Sequence, residues 1–179
     1  MTIELPPQRS QTAFNLRRWN QLLADPILAR IEGRIETDRH GNIIMSPPPA
    51  ANHGSYQVQI AVELNRLMSD GRVSVECPIS TADGVRAADV AWASPECLRH
   101  LGNRTCYPRC PEICVEVLSP RNTRSEIEEK KQLYFDAGAK EVWICSQSGV
   151  MTGFNPDGEI TASALCPKFP KRVKLRGSP

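Results

Sequence analysis

Two carboxylates stand where the sequence around them is apolar. Glu116 interrupts Ile113-Cys-Val-Glu116-Val-Leu118, and Asp89 interrupts Val85-Arg-Ala-Ala-Asp89-Val-Ala-Trp92. A buried carboxylate without a partner costs several kcal/mol or takes up a proton, so each needs a lysine, an arginine or a metal ion. Lys130 is one candidate partner. At about 100° per residue, Ile127, Lys130, Lys131 and Tyr134 share one arc of a helix, which puts a lysine on the apolar stripe. A right-handed strand–helix–strand crossover lays that stripe on the sheet and can bring Lys130 to Glu116. A structural ion pair, or a carboxylate at a strand end in water, explains this as well as a reactive site does. Hard divalent cations such as Mg²⁺ take oxygen ligands, commonly one or two carboxylates. Two strand-borne carboxylates and a lysine are the set that metal-assisted phosphodiester hydrolysis requires, the lysine holding the attacking water or balancing developing charge.

The elements that must position these residues follow from patterning. Residues 112–118 form an apolar strand suited to burial on both faces, and Ser119-Pro120 stops it. Ser125 is placed to cap the next helix, whose first turn is acidic, and Gly138 ends it before a second strand at 141–145. Earlier in the chain the spacing predicts a helix over 14–24, a hairpin of 27–36 with 42–46, and a helix from Asn52 or Ser55 to Met68. Strands at 72–80 and 85–92 follow, then a short helix and loop over 94–111. A weak hairpin of 150–155 with 159–164 closes the pattern. This order predicts an α/β fold whose sheet is mixed, flanked by helices. One domain accounts for the chain, with residues 1–12 a loose arm and 166–179 a basic tail.

Composition narrows the classes. With 179 residues, 40% hydrophobic and 23% charged, the chain can bury a proper core. No apolar run reaches membrane-spanning length and the first 20 residues lack a signal-peptide core, so the cytoplasm is the expected compartment and no membrane partner is expected. The net charge of +2 announces no partner, but Lys168, Lys171, Arg172, Lys174 and Arg176 carry +5 and leave −3 elsewhere. Such an end touches phosphates or merely solubilises. Cys106, Cys110 and Cys114 are closely spaced, yet no second ligand cluster accompanies them, and the seven cysteines read as reduced thiols filling apolar space. Neither a nucleophile elbow nor a Gly-rich phosphate loop is present.

Asp89 followed by Glu116-x-Leu118 resembles the Pro-Asp…(Asp/Glu)-x-Lys signature of restriction-endonuclease-like nucleases. More narrowly, the chain resembles the Uma-two family of that superfamily. The matching pieces are Ala29-Arg-Ile-Glu32-Gly33, Asn42-Ile-Ile-Met-Ser46-Pro47, His53, the Asp89 and Glu116 strands, Glu129-Lys130 with Tyr134 and Gly138, and Glu141-Val-Trp143. The resemblance implies a restriction-endonuclease-like core and a nuclease acting on DNA with Mg²⁺ or Mn²⁺ held by Asp89 and Glu116. It implies that Lys130 replaces the signature lysine, whose position holds Leu118. It makes Glu32 an added acid near the metal and His53 a group behind the ligands or facing substrate. Without the resemblance, Glu32 is an edge strand's polar face and His53 a helix residue in water. Arg86 falls on the opposite pleat from Asp89 in a regular strand and stands as a substrate contact only. Ala88 replaces the signature proline. A homodimer is expected by analogy with enzymes that cut both strands. The competing expectation is a catalytically silent module that binds nucleic acid or protein on the same fold.

Overall fold

The computed structural model describes residues 8–30, 33–46 and 50–175. Helix α1 (Gln8–Leu23) is longer than its apolar spacing suggests, and it takes up part of the expected N-terminal arm. After it, Asp25 accepts hydrogen bonds from the amides of Ile27 and Leu28, and a 3-10 turn follows at Leu28–Arg30. That local bonding competes with extended chain. The expected ten-residue strand is therefore short: among the described residues β1 (Arg34–Thr37) pairs antiparallel with β2 (Ile43–Ser46).

Helix α2 (Ala51–Leu67) starts at Ala50, with no side-chain cap. Asn52 and Ser55 lie inside it, and Ser55 turns its hydroxyl back to the Ala51 carbonyl. Strands β3 (Arg72–Thr81) and β4 (Gly84–Ala93) form a tight hairpin, then α3 (Pro95–Leu101) is capped by Ser94. The parallel unit comprises β5 (Ile113–Val117), α4 (Arg124–Asp136) and β6 (Glu141–Cys145). Thr123, not Ser125, caps α4, in a reciprocal capping box with Glu126. Gly138, at φ 108°, supplies the left-handed residue beyond its end. Strands β7 (Met151–Asn155) and β8 (Gly158–Ile160) complete the sheet, the last one half its expected length.

The large sheet runs β3-β4-β5-β6-β7-β8, antiparallel except at β5–β6. It is the mixed α/β sheet that the order of elements predicts. Alternation along β5 and β6 splits the core. Val115, Trp143 and Cys145 pack with Ile60 and Leu64 of α2, while Cys114, Val142 and Ile144 pack with Ile127 and Tyr134 of α4. Burying such side chains contributes roughly 1.5–3 kcal/mol each, which outweighs the weak preference of these helices for their own conformation. Helix α1 and the β1–β2 hairpin close one end through Trp19, Leu22, Val85, Ile35 and Ile43. The basic C-terminal segment does not hang free. Cys166 and Val173 are buried, Phe169 lies 4.7 Å from the Trp143 ring, and Val173 donates to the Gly149 carbonyl. Arg176 lies outside the described residues.

Candidate active site

The site lies where two strands part. The β4–β5 ladder has three pairs and ends at Val90–Val115. One step further along that register, Asp89 is level with Glu116. On the other side, the pairs Val75–Val90 and Cys77–Ala88 set Glu76 level with Asp89. Three acids thus form a row across three neighbouring strands. Cross-strand like charges destabilise a sheet unless something compensates them. Asp89 spans the parting itself: its Oδ2 accepts from the Val117 amide at 2.7 Å.

Where β5 leaves β4, backbone donors of β4 need other partners. The hairpin supplies them with side chains. Thr37 Oγ1 accepts from Val85 N at 2.9 Å, and Glu36 Oε1 accepts from Ala87 N at 2.8 Å. This explains why Glu36 and Thr37 are buried, at 5% and 1% exposure.

A chain of charges joins the acids. Lys130 Nζ lies 3.1 Å from Glu116 Oε2 and 3.3 Å from Glu36 Oε1. The Tyr134 hydroxyl, one turn on, donates to Glu116 Oε1 at 2.7 Å. Arg34 donates to Glu36 Oε1 at 2.8 Å and to Asp89 Oδ1 at 2.5 Å. His53 Nε2 and Gln57 Nε2, both on α2, approach the same Asp89 oxygen at 3.4 Å, and Gln57 also bonds Glu76. His53, Glu76 and Asp89 bring ligand-type atoms within 4.8 Å of one another. Glu76 holds its place at φ 48°, a strained conformation for a non-glycine residue in a strand.

The protonation pattern follows from these contacts. Burial pushes Asp89 up, but the bond from His53 and the charge of Arg34 hold it below the usual carboxylate range. Burial also opposes ionisation of Glu36, and Lys130 and Arg34 likewise overcome it. Glu116 goes the other way: burial raises it, Lys130 pulls it down, and Asp89 opposite helps to keep it high. The hydrogen bond to Asp89 raises His53. Burial and Glu116 raise Tyr134 well above its ordinary value, so it is a neutral donor.

The structure brings Asp89, Glu116, Lys130 and His53 into one network. Of the two lysines on the stripe, only Lys130 turns to it; Lys131 pairs with Glu128 and sits 3.7 Å over the Phe154 ring. Arg86 joins from the far end, bonded to Asp83 and 3.8 Å from Glu36. Glu32 lies outside the described residues. The acid that this hairpin delivers is Glu36, and sequence reasoning missed it along with Arg34, Glu76 and Gln57, and missed Tyr134's bond to Glu116. Signals existed: Gln57 lies one helical turn after His53, Tyr134 one turn after Lys130, and Arg34 and Glu36 share one side of a strand.

The comparisons with known proteins agree with this architecture. The Uma2 family model, described as "Putative restriction endonuclease", matches residues 19–170. The chain is also similar to a crystal structure of a "putative nuclease belonging to DUF820" from Anabaena variabilis. The TM-score is 0.67 with 15% identity, over 87% of this chain and 93% of that one. At that identity the likeness speaks for the fold. No curated protein matches the sequence. The family match covers every element that carries the charge network, and on that span the chain belongs to the Uma2 family.

Proposed function

We propose that the protein is a metal-dependent endonuclease that hydrolyses phosphodiester bonds of DNA. The observation that carries this reading is the pair Asp89 and Glu116, level across two parting strands and both buried, with Lys130 3.1 Å from Glu116. The donor set fits a divalent cation. Glu36, Glu76, Asp89 and Glu116 outnumber the cationic side chains among them, Arg34 and Lys130 with Arg86 3.8 Å from Glu36, which leaves an excess of negative charge when all four are ionised. Asp89 and Glu116 would hold Mg²⁺ or Mn²⁺, with His53 and Glu76 in reach of the same region. Bound there, the ion supplies polarisation of the phosphate and acidification of its water.

The chain's own residues do the rest. Val117 N fixes Asp89, and Tyr134 fixes Glu116 while leaving Oε2 to Lys130. Glu36 holds the Lys130 ammonium at 3.3 Å, so the amine is fixed between two carboxylates. There it positions the attacking water and balances charge on the phosphate oxygens. Arg86 and the packed basic segment of Lys168, Lys171, Arg172 and Lys174 would meet the DNA backbone. A homodimer with two-fold symmetry would cut both strands. The seven cysteines, all free and buried, suit a reducing compartment such as the cytoplasm. The chain has no described helix long and apolar enough to cross a membrane.

Plasmid cleavage tests the reading. Wild type with Mg²⁺ or Mn²⁺ should nick plasmid, and EDTA or Asp89→Ala should abolish it; equal cleavage by Asp89→Ala, or cleavage in EDTA, rejects the mechanism. One observation favours a second reading, a silent binding module on the same fold: the Arg34 guanidinium is lodged among the acids. That reading predicts DNA retention without cleavage and indifference to Glu116→Gln.

A further inference from the structure

The guanidinium of Arg34 occupies the region where the carboxylates converge. Nη1 is 2.5 Å from Asp89 Oδ1, Nη2 is 2.8 Å from Glu36 Oε1, and Nε is 3.5 Å from Glu76 Oε2. Three nitrogens thus meet three acids from two strands of the large sheet and one of the hairpin. Asp89 gives its Oδ1 to Arg34, with His53 and Gln57 3.4 Å from the same oxygen, and its Oδ2 accepts from Val117 N. A divalent cation bonded to Asp89 would lie within a few ångströms of the guanidinium, and like charges that close repel strongly where burial lowers the dielectric.

From this geometry we infer that Arg34 is a built-in counter-cation, and that a divalent cation binds Asp89 only by displacing it. The inference rests on the metal-dependent reading above. The seat is one that Arg34 can leave. Its Nε is buried but makes no hydrogen bond to Glu76, and its side chain keeps a 17% exposed route to solvent. The acids it leaves behind stay in place for other reasons. Glu36 keeps Ala87 N and Lys130, Asp89 keeps Val117 N, and Glu76 keeps Gln57. Cation entry therefore swaps one positive charge for another without dismantling the site. The cation-free protein is held neutral enough to fold, and the cation's affinity is set by what Arg34 gives up. Lys130 does not compete for Asp89, because it reaches Glu116 and Glu36 instead.

The test is Mn²⁺ titration by calorimetry of wild type, Arg34→Gln, Arg34→Lys and Asp89→Asn, with thermal melts of each in EDTA and in Mn²⁺. Arg34→Gln should bind Mn²⁺ about tenfold tighter than wild type. It should melt lower in EDTA and gain more from Mn²⁺. Arg34→Lys keeps the charge on a single amine that cannot fork between Asp89 and Glu36. It should fall between the two, and it carries the test if Arg34→Gln does not fold without Mn²⁺. Equal or weaker binding by the Arg34 variants, with binding by wild type intact, overturns the inference and leaves the metal-dependent reading standing. Absence of Mn²⁺ binding in wild type and both variants, or Asp89→Asn binding as wild type does, overturns both.

Discussion

Glu116, proposed above as a metal ligand, illustrates how a buried carboxylate burdens the fold. Its raised value means that the carboxyl contributes stability below the ordinary glutamate range and loses it as pH rises through the raised value. Glu116→Gln keeps the size and the Tyr134 bond but removes that charge. The variant should therefore melt a few degrees above wild type near pH 8. The gap should close toward acid, where the wild-type carboxyl is itself neutral; melting curves across pH check this. Asp89 and Glu36 have the opposite sign. Their stabilisation is present above the ordinary carboxylate range and disappears as pH falls through their depressed values. Lys130→Ala should lower plasmid cleavage by roughly 10²–10⁴-fold, while calorimetry finds Mn²⁺ bound at least as tightly as by wild type. Asp89, Glu116 and Lys130 were legible because a charge in an apolar strand or stripe is anomalous. Arg34, Glu36 and Glu76 were not, because charges at alternate strand positions look the same whether they face water or a buried network.

At the scale of elements, the hairpin acts as a plug for backbone that β5 leaves open. Thr37→Val keeps shape and burial but strands the Val85 amide, and it should cost about 1–3 kcal/mol in urea unfolding. An exposed position such as Thr161→Val should cost far less. The same plug delivers Arg34 and Glu36 to the site, so hairpin and charge network are one construction. Strand boundaries in β3, β4, β5 and β6 could be read from alternation and burial runs. The hairpin start could not, because Asp25 redirects the amides of Ile27 and Leu28 into a turn. The α4 cap was misplaced because Thr123 and Ser125 are both competent, and only the reciprocal bond with Glu126 selects Thr123.

For the whole molecule, the parallel crossover from β5 through α4 to β6 is what sets a helix lysine against a strand acid. That relation was legible in the order of elements and the handedness rule. The row of Glu76, Asp89 and Glu116 was not, since it depends on registers of three strands that no local pattern fixes. The packed C-terminal segment was missed as well: its charges mask Cys166, Phe169 and Val173, whose spacing is neither helical nor strand-like. The central claim is that the acids at the parting of β4 and β5 share a cation with Lys130 beside it. A crystal grown with Mn²⁺ and measured for anomalous scattering addresses it most directly. A peak bonded to Asp89 and Glu116 oxygens is expected, with the Arg34 guanidinium moved off Asp89. Arg34 still on Asp89 and no peak between the two acids, in crystals soaked at saturating Mn²⁺, would contradict it.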